Sequence, residues 1–139
     1  MTPKKIESIV NDRDILKGSF YINELSVFKV SDFSENTIWM MTDHGGWAFI
    51  PRDLGVYECH FGYNRRGLRS FAFNHSEQCF FSMKILGAVK LVGLVAAENK
   101  LAKRFLEKLG CKKIARKDGP FKFAGLDTNL EVYEHGFCG

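Results

Sequence analysis

The chain has 139 residues, of which 45% are hydrophobic, 14% are aromatic and 26% are charged, and its formal net charge is +4. These values exclude an unfolded chain and predict one ordinary folded domain over residues 1–139. No apolar run approaches the roughly 20 residues of a membrane helix, and the first residues lack the apolar segment of a signal peptide. The sequence therefore predicts a cytoplasmic protein with no membrane partner.

The cysteine spacing and the small charge excess limit the kinds of site further. Cys59, Cys79, Cys111 and Cys138 form no CxxC pair, so we expect reduced thiols, no disulfide framework and no metal site. An excess of four positive charges does not predict a nucleic-acid partner unless the charges are locally concentrated.

The N-terminal part, residues 1–36, is predicted to be helical. A helix is expected over residues 4–18, with Ile6, Ile9 and Val10 on one face and Gly18 as its end. Residues 20–30 show no clear period. The phenylalanines of this region, at positions 20, 28 and 33, are expected to line a pocket or an interface.

The sheet core is predicted over residues 37–134 and begins with a hairpin. Residues 37–42 and 47–51 are strand-like, and the glycines at 45 and 46 provide the turn between them. The next strand, 55–63, alternates so that the odd-numbered aromatic residues face the core. Its other face places Glu58 next to His60.

The remaining elements alternate between helices and strands. A helix is predicted from Leu68 to about residue 83, with Leu68 on its apolar stripe, followed by an apolar strand over 88–95. A second helix is predicted over 100–109, with Leu101 on its apolar stripe. Asn99 is the expected N-cap of that helix, which also carries a basic side, and Gly110 is its expected end. Two further strands are predicted over 111–117 and 129–134, the second as an exposed edge. The class is α/β (α+β), with a mixed sheet and a central βαβ unit.

A basic turn connects the strand at 55–63 to the following helix. Its sequence is Asn64-Arg65-Arg66-Gly67-Leu68-Arg69. A helix N-terminus presents unpaired N–H groups and a positive dipole end, and the arginines add charge. The turn is thus suited to a pyrophosphate, although an ordinary basic helix start has the same features.

These motifs resemble the GNAT family of N-acetyltransferases over residues 37–134. The resemblance depends on the strand followed by the Arg/Gly turn, the apolar strand, and the segment that runs from Asn99 through Ala102 to Leu109-Gly110. It implies a GNAT-like fold, acetyl-CoA or CoA as the cofactor, and an amine of a small molecule or a protein as the acyl acceptor.

The resemblance also implies the site. Glu58 and His60 are the catalytic candidates, with either residue as general base or Glu58 orienting His60. The cofactor arm would enter between the strands at 56–62 and 89–95, where backbone groups polarise the thioester. The cofactor-binding candidates are Phe61, Tyr63, Arg65, Arg66, Gly67, Leu68, Arg69, Asn99 and Ala102.

Four positions depart from the family pattern: Asn64 replaces a Gln or Arg, Arg69 a Gly or Ala, Leu106 a Tyr that protonates the departing thiolate, and Cys111 an aromatic residue. Arg69 and Leu106 favour a second hypothesis, whereas Gly67 and the pair of Asn99 and Ala102 favour the enzyme. The chain also resembles compact GNAT-like proteins of bacteriophages, associated with head assembly. On this alternative it is a binding or assembly module without catalysis, and its partners are phage structural proteins or further copies of itself. A third hypothesis is a nucleic-acid-associated protein that uses Arg65, Arg66 and Arg69 together with the basic helix, with salt-dependent DNA binding as its signature.

Overall fold

The computed structural model describes residues 1–12, 15, 29–123 and 126–137. The helices and strands within these ranges are, in chain order, α1 (Pro3–Val10), β1 (Ile38–Thr42), β2 (Gly45–Asp53), β3 (Val56–Tyr63), α2 (Arg65–Ser70), α3 (Ala72–Ile85), β4 (Lys90–Ala96), α4 (Lys100–Lys108), β5 (Lys112–Phe123) and β6 (Leu126–Gly136). A 3-10 turn at Val30–Asp32 precedes β1. None of the described helices is long and apolar enough to cross a membrane.

The strands of the described residues form one mixed sheet in the order β1-β2-β3-β4-β6-β5. β3 and β4 are parallel and are joined by α2 and α3, as the predicted βαβ unit requires. The other neighbours are antiparallel. The prediction of a mixed α+β sheet is confirmed.

Helix α1 covers one face of the sheet. Thr2 caps it by accepting a hydrogen bond from the N–H of Lys5 at 3.2 Å, and Pro3 occupies its first turn, where a missing N–H costs nothing. Its buried side, formed by Ile6, Ile9 and Val10, packs with Ala48 of β2. The predicted apolar face is therefore confirmed in a helix that ends at Val10. Gly18, Phe20 and Phe28 lie outside the described residues.

The other face of the sheet holds the larger core under α3 and α4. Trp47 of β2 is 1% exposed and lies between Phe61 and Phe80, with ring centroids 4.6 and 5.0 Å away. Its indole N–H donates to the hydroxyl of Ser76 at 2.8 Å, and Tyr63 lies 3.2 Å from the same hydroxyl. This buried network attaches α3 to the centre of the sheet.

The β1–β2 hairpin forms where it was predicted, but the two glycines predicted to make its turn lie in β2. Thr42 pairs with Gly45, so the turn consists of Asp43 and His44. Gly45 has φ +117°, and a Cβ there would lie 2.0 Å from the carbonyl oxygen of Gly62. Only glycine fits this backbone and this close approach of β3.

Two helix predictions are wrong in part. The helix predicted from Leu68 is divided at Phe71, whose φ of −145° ends α2 and lets α3 begin in a new direction. Leu68 is 38% exposed as a result. In α4, Asn99 and Gly110 end the helix as predicted, but Leu101 is 63% exposed because Ala102 and Leu106 define the buried side.

The predicted edge strand is also wrong. β6 lies inside the sheet, paired with β4 on one side and β5 on the other, and β5 is the edge. β5 and β6 form a long hairpin rather than two short strands. The last strand, β6, therefore lies between β4 and β5. Sequence order alone does not fix this insertion, because any antiparallel order satisfies the same apolar pattern.

Candidate functional site

The parallel strands β3 and β4 separate part-way along their length. They pair from Val56 with Lys90 to Cys59 with Gly93. Beyond that point both strands continue, to Tyr63 and Ala96, but β3 remains paired only with β2 and β4 only with β6. The sheet therefore opens at the carboxyl ends of two parallel strands, where open α/β sheets bind ligands.

A small pocket, with a cavity volume of about 20 Å³ and partly open to solvent, lies at this separation. It is lined by three consecutive residues of each strand and by the large core behind them: Cys59, His60, Phe61, Gly93, Leu94, Val95, Trp47, Phe80, Leu91, Leu106, Cys111 and Tyr133. The walls are mostly apolar, as in most small-molecule sites.

The main chain of β3 is directed toward the opening at Phe61 and Tyr63. The carbonyl of Gly55 accepts hydrogen bonds from the first residues of β4, whereas the N–H of Asn64 donates to His44 in the β1–β2 hairpin. Because successive residues of a strand direct their backbone groups to opposite edges, the odd-numbered residues of β3 face β4. The main-chain groups of Phe61 thus border the pocket, and those of Tyr63 face the same opening beyond it, while the Tyr63 side chain is buried in the core.

Gly93 provides the space at the point of separation. A Cβ at this position would meet only the carbonyl oxygen of Cys59, at 3.8 Å, which is ordinary van der Waals contact. Its backbone is not in the left-handed region, so a larger residue is sterically allowed and would fill the pocket.

The β1–β2 hairpin supports the arginine turn, which we define as residues 64–69. Asn64 caps α2 by accepting a hydrogen bond from the N–H of Gly67 at 2.8 Å, and its amide lies 3.0 Å from His44 Nδ1. A Cβ on Gly67 would lie 3.2 Å from His44, so this glycine packs inward. Arg65, Arg66, Leu68 and Arg69 are exposed, and the first N–H groups of the helix belong to the two arginines that open it.

Asn99 and Ala102 lie together at the start of α4. The side-chain oxygen of Asn99 accepts a hydrogen bond from the N–H of Ala102 at 3.2 Å, and both residues are buried. They fix α4 beside the end of β4. The arginine turn follows β3, the strand next to β4 in the sheet.

Glu58 and His60 form a closed pair on the face covered by α1. The carboxylate of Glu58 lies 2.7 Å from His60 Nε2 and accepts a hydrogen bond from Arg52 at 3.1 Å. The hydrogen bond with His60, together with Arg52, outweighs burial and lowers the pKa of Glu58 to about 2. A carboxylate with so low a pKa is a poor base at neutral pH, whereas it can orient an imidazole and stabilise its protonated form.

The same pair predicts an acid-dependent loss of stability. The pKa of Glu58 in the folded protein lies below the 4.5 that is usual for a glutamate, so its contribution to stability is complete above about pH 4.5 and is lost as the pH falls toward 2. We expect Glu58→Gln to have a lower free energy of unfolding than the parent protein at pH 7. The difference between the two free energies should become smaller as the pH falls. Urea denaturation at pH 7, 4.5 and 3 measures this. A constant difference at all three values would contradict the assignment, and Glu35→Gln, at an exposed position, is the control.

Phe33 connects the N-terminal part to this pair. Its ring lies edge-on to His60, 5.7 Å between centroids, and 5.4 Å from the ring of Trp39. Of the three phenylalanines predicted to line a pocket or an interface, Phe33 is therefore next to a predicted catalytic residue.

Sequence analysis did not find Arg52, Gly93 or Tyr133. Gly93 lies in an apolar run without a distinguishing signal, and Tyr133 reaches the pocket only because β6 pairs it with Gly93. The Tyr133 hydroxyl donates to Glu107 at 3.4 Å, and burial raises its pKa to about 12. Its ring lines the pocket while its proton is directed to α4. Leu106, also in the lining, is 4% exposed.

The thiols near the pocket are not nucleophiles. Burial raises the pKa of Cys59 well above its usual value and that of Cys111 to about 12, so both are protonated at neutral pH. Cys59, Cys79 and Cys111 are buried free thiols.

Several solved acetyltransferase structures resemble the chain. A spermidine N-acetyltransferase from Vibrio cholerae, in complex with CoA and spermine, matches with TM-score 0.60 and 18% identity over 67% of this chain and 57% of that one. An N-acetyltransferase from Staphylococcus aureus Mu50 matches with TM-score 0.59 and 15% identity over 67% of this chain and 60% of that one. A probable acetyltransferase matches with TM-score 0.57 and 11% identity.

The chain has the GNAT fold. It spans less than two thirds of the length of these structures. No protein-family model matches the sequence, and no curated protein does. The likeness is thus in the arrangement of the chain, and function has to be argued from the site.

Proposed function

We propose that the chain is an acyl-CoA-dependent N-acyltransferase. The separation of β3 from β4 after Cys59 and Gly93 is the observation that carries this proposal, because it opens an apolar pocket bordered by backbone groups of β3. A neighbour with the same fold is a complex with CoA and spermine, which is consistent with an amine as acceptor.

The described residues fit a CoA-like group along this opening. The empty space beside Gly93 suits a thin, flexible arm, since a single Cβ there would begin to fill it. The arginine turn, with Arg65, Arg66 and Arg69 exposed at its surface, supplies cations for a pyrophosphate. Gly67 and Leu68 complete the proposed cradle, and Asn99 and Ala102 border the arm from α4. When bound, the cofactor supplies the activated thioester.

His60 is the proposed base. Glu58 is bonded to Nε2, so in the neutral tautomer Nε2 carries the proton and Nδ1 carries the lone pair that accepts a proton from the amine. The N–C bond would form as the C–S bond breaks, the amine proton would pass to Nδ1 of His60, and CoA would leave as a thiolate that takes its proton from solvent. The paired carboxylate of Glu58 stabilises the resulting cation. The backbone groups of Phe61 and Tyr63 orient the thioester, so positioning accounts for much of the effect.

Ligand-dependent stabilisation tests the proposal. We expect acetyl-CoA, added at about 100 times its dissociation constant, to stabilise the folded protein by about 2.7 kcal/mol. Thermal unfolding with acetyl-CoA, CoA and, as a control, ATP measures this. No shift with millimolar acetyl-CoA would overturn the enzyme proposal, and an equal shift with ATP would reduce it to general phosphate binding.

Leu106 favours a second candidate function. It lies in the pocket wall at the position where the family resemblance expects a proton donor, and the hydroxyl of Tyr133 is directed away to Glu107. The second proposal is a non-catalytic binding or assembly module, such as a bacteriophage structural partner. The non-catalytic module would be favoured if the protein bound CoA but released no free thiol from acetyl-CoA in the presence of spermine, lysine or peptide amines.

A further inference from the structure

The charge of the chain is concentrated in one short segment. Residues 100–117 contain eight of the twenty Lys and Arg residues and one of the sixteen Asp and Glu residues, a net charge of +7. The remainder of the chain, with twelve basic and fifteen acidic residues, has a net charge of −3. A modest total of +4 therefore hides a strongly asymmetric distribution.

The fold places the two halves of this segment side by side. Glu131 of β6 is 7% exposed and binds Lys103 of α4 at 2.9 Å and Lys113 of β5 at 2.7 Å. Arg116 is opposite Glu131 in the β5–β6 register, and its side chain, which is 58% exposed, pairs with the exposed carboxylate of Asp118 at 3.0 Å. Lys100 and Arg104 are exposed on the outer side of α4. We define the basic face by these five cations: Lys100, Lys103, Arg104, Lys113 and Arg116.

We propose that the basic face binds the phosphate backbone of double-stranded nucleic acid without regard to sequence. Rows of exposed cations on a helix and a neighbouring strand supply the electrostatic part of such binding. From the sequence, nucleic-acid binding was only a third hypothesis, which combined this helix with the arginine turn. The structure adds the strand beside the helix and a buried carboxylate that holds one cation from each element.

The aromatic and apolar groups of α4 and β5 favour a duplex over single-stranded nucleic acid and over a lipid membrane as the partner. The described aromatic side chains of α4 and β5, at Phe105, Phe121 and Phe123, are half-buried, so they offer no exposed platform for unpaired bases. Helix α4 turns Ala102 and Leu106 into the core and keeps no continuous apolar face for insertion into lipid. The exposed Leu101 and Ile114 make an anionic membrane the rival to be tested.

Fluorescence anisotropy with a labelled 20-base-pair DNA duplex tests the proposal on the full chain. We expect binding at 25 mM NaCl that weakens linearly in log–log form, with a slope of about −4 if four to five phosphates are neutralised. Lys100→Glu with Arg104→Glu should weaken binding at least tenfold and reduce the slope by about 2.

The matched control is Lys4→Glu with Lys84→Glu, two exposed positions on other helices, which changes the net charge equally. Equal weakening by this control would mean that only total charge matters and would overturn the proposal. The proposal would also be overturned if Arg65→Glu with Arg69→Glu lost binding while the α4 variant retained it. That result would place the contact at the arginine turn. Absence of binding at 25 mM NaCl, or binding only to vesicles with 30% phosphatidylserine, would also overturn the proposal.

Discussion

His60→Ala lowers kcat by about a hundredfold to ten-thousandfold, if the imidazole takes the proton of the attacking amine. The expectation depends on the contact of 2.7 Å between Glu58 and His60, which gives the imidazole a fixed orientation and a paired carboxylate. The assay measures the release of CoA thiol from acetyl-CoA. Spermine, lysine and peptide amines are compared first, and the amine that gives the fastest rate is used.

The affinity for acetyl-CoA separates this role from a structural one. The cofactor arm is proposed to contact backbone groups on β3, whereas the side chain of His60 lies on the face covered by α1 with Phe33. We therefore expect His60→Ala to keep the thermal shift produced by acetyl-CoA. Glu58→Gln should lower kcat less than His60→Ala, because it acts through the imidazole. Full turnover in His60→Ala would show that another group is the base.

Gly93→Val should abolish the stabilisation by acetyl-CoA. The glycine lies where β3 and β4 separate, and a Cβ there would begin to fill the space left between the strands. The valine side chain would then occupy the place of the cofactor arm, with no need for a change in the backbone. The expected result is a loss of the ligand-induced rise in Tm while the Tm of the free protein changes little, since a β-branched residue suits a strand.

Gly136→Val is the matched control for this variant. Gly136 is at the end of β6, does not line the pocket, and a Cβ there would meet no atom within 4 Å. It should retain the full response to acetyl-CoA. If Gly93→Val also retained it, the ligand would bind outside the opening between the strands, and the enzyme proposal would lose the observation on which it depends.

The sequence by itself determined the local elements of this protein. The β1–β2 hairpin, the alternation over residues 55–63 and the Asn99 N-cap each depend on neighbouring residues, and each is present in the structure. Glu58 and His60 are two residues apart on a strand, so the strand period alone predicted that their side chains would lie on one face. Their hydrogen bond agrees with this expectation.

Only the tertiary structure decided which residues surround the pocket. Tyr133 is opposite Gly93 because β6 inserts between β4 and β5, and such a return of the chain leaves no mark in a local pattern. The same insertion places Glu131 of β6 where it binds one lysine from α4 and one from β5, which joins the two parts of the basic face. The separation of β3 from β4 is likewise a property of two strands with different partners. Local periodicity specifies which way a side chain points, whereas strand order specifies what it meets.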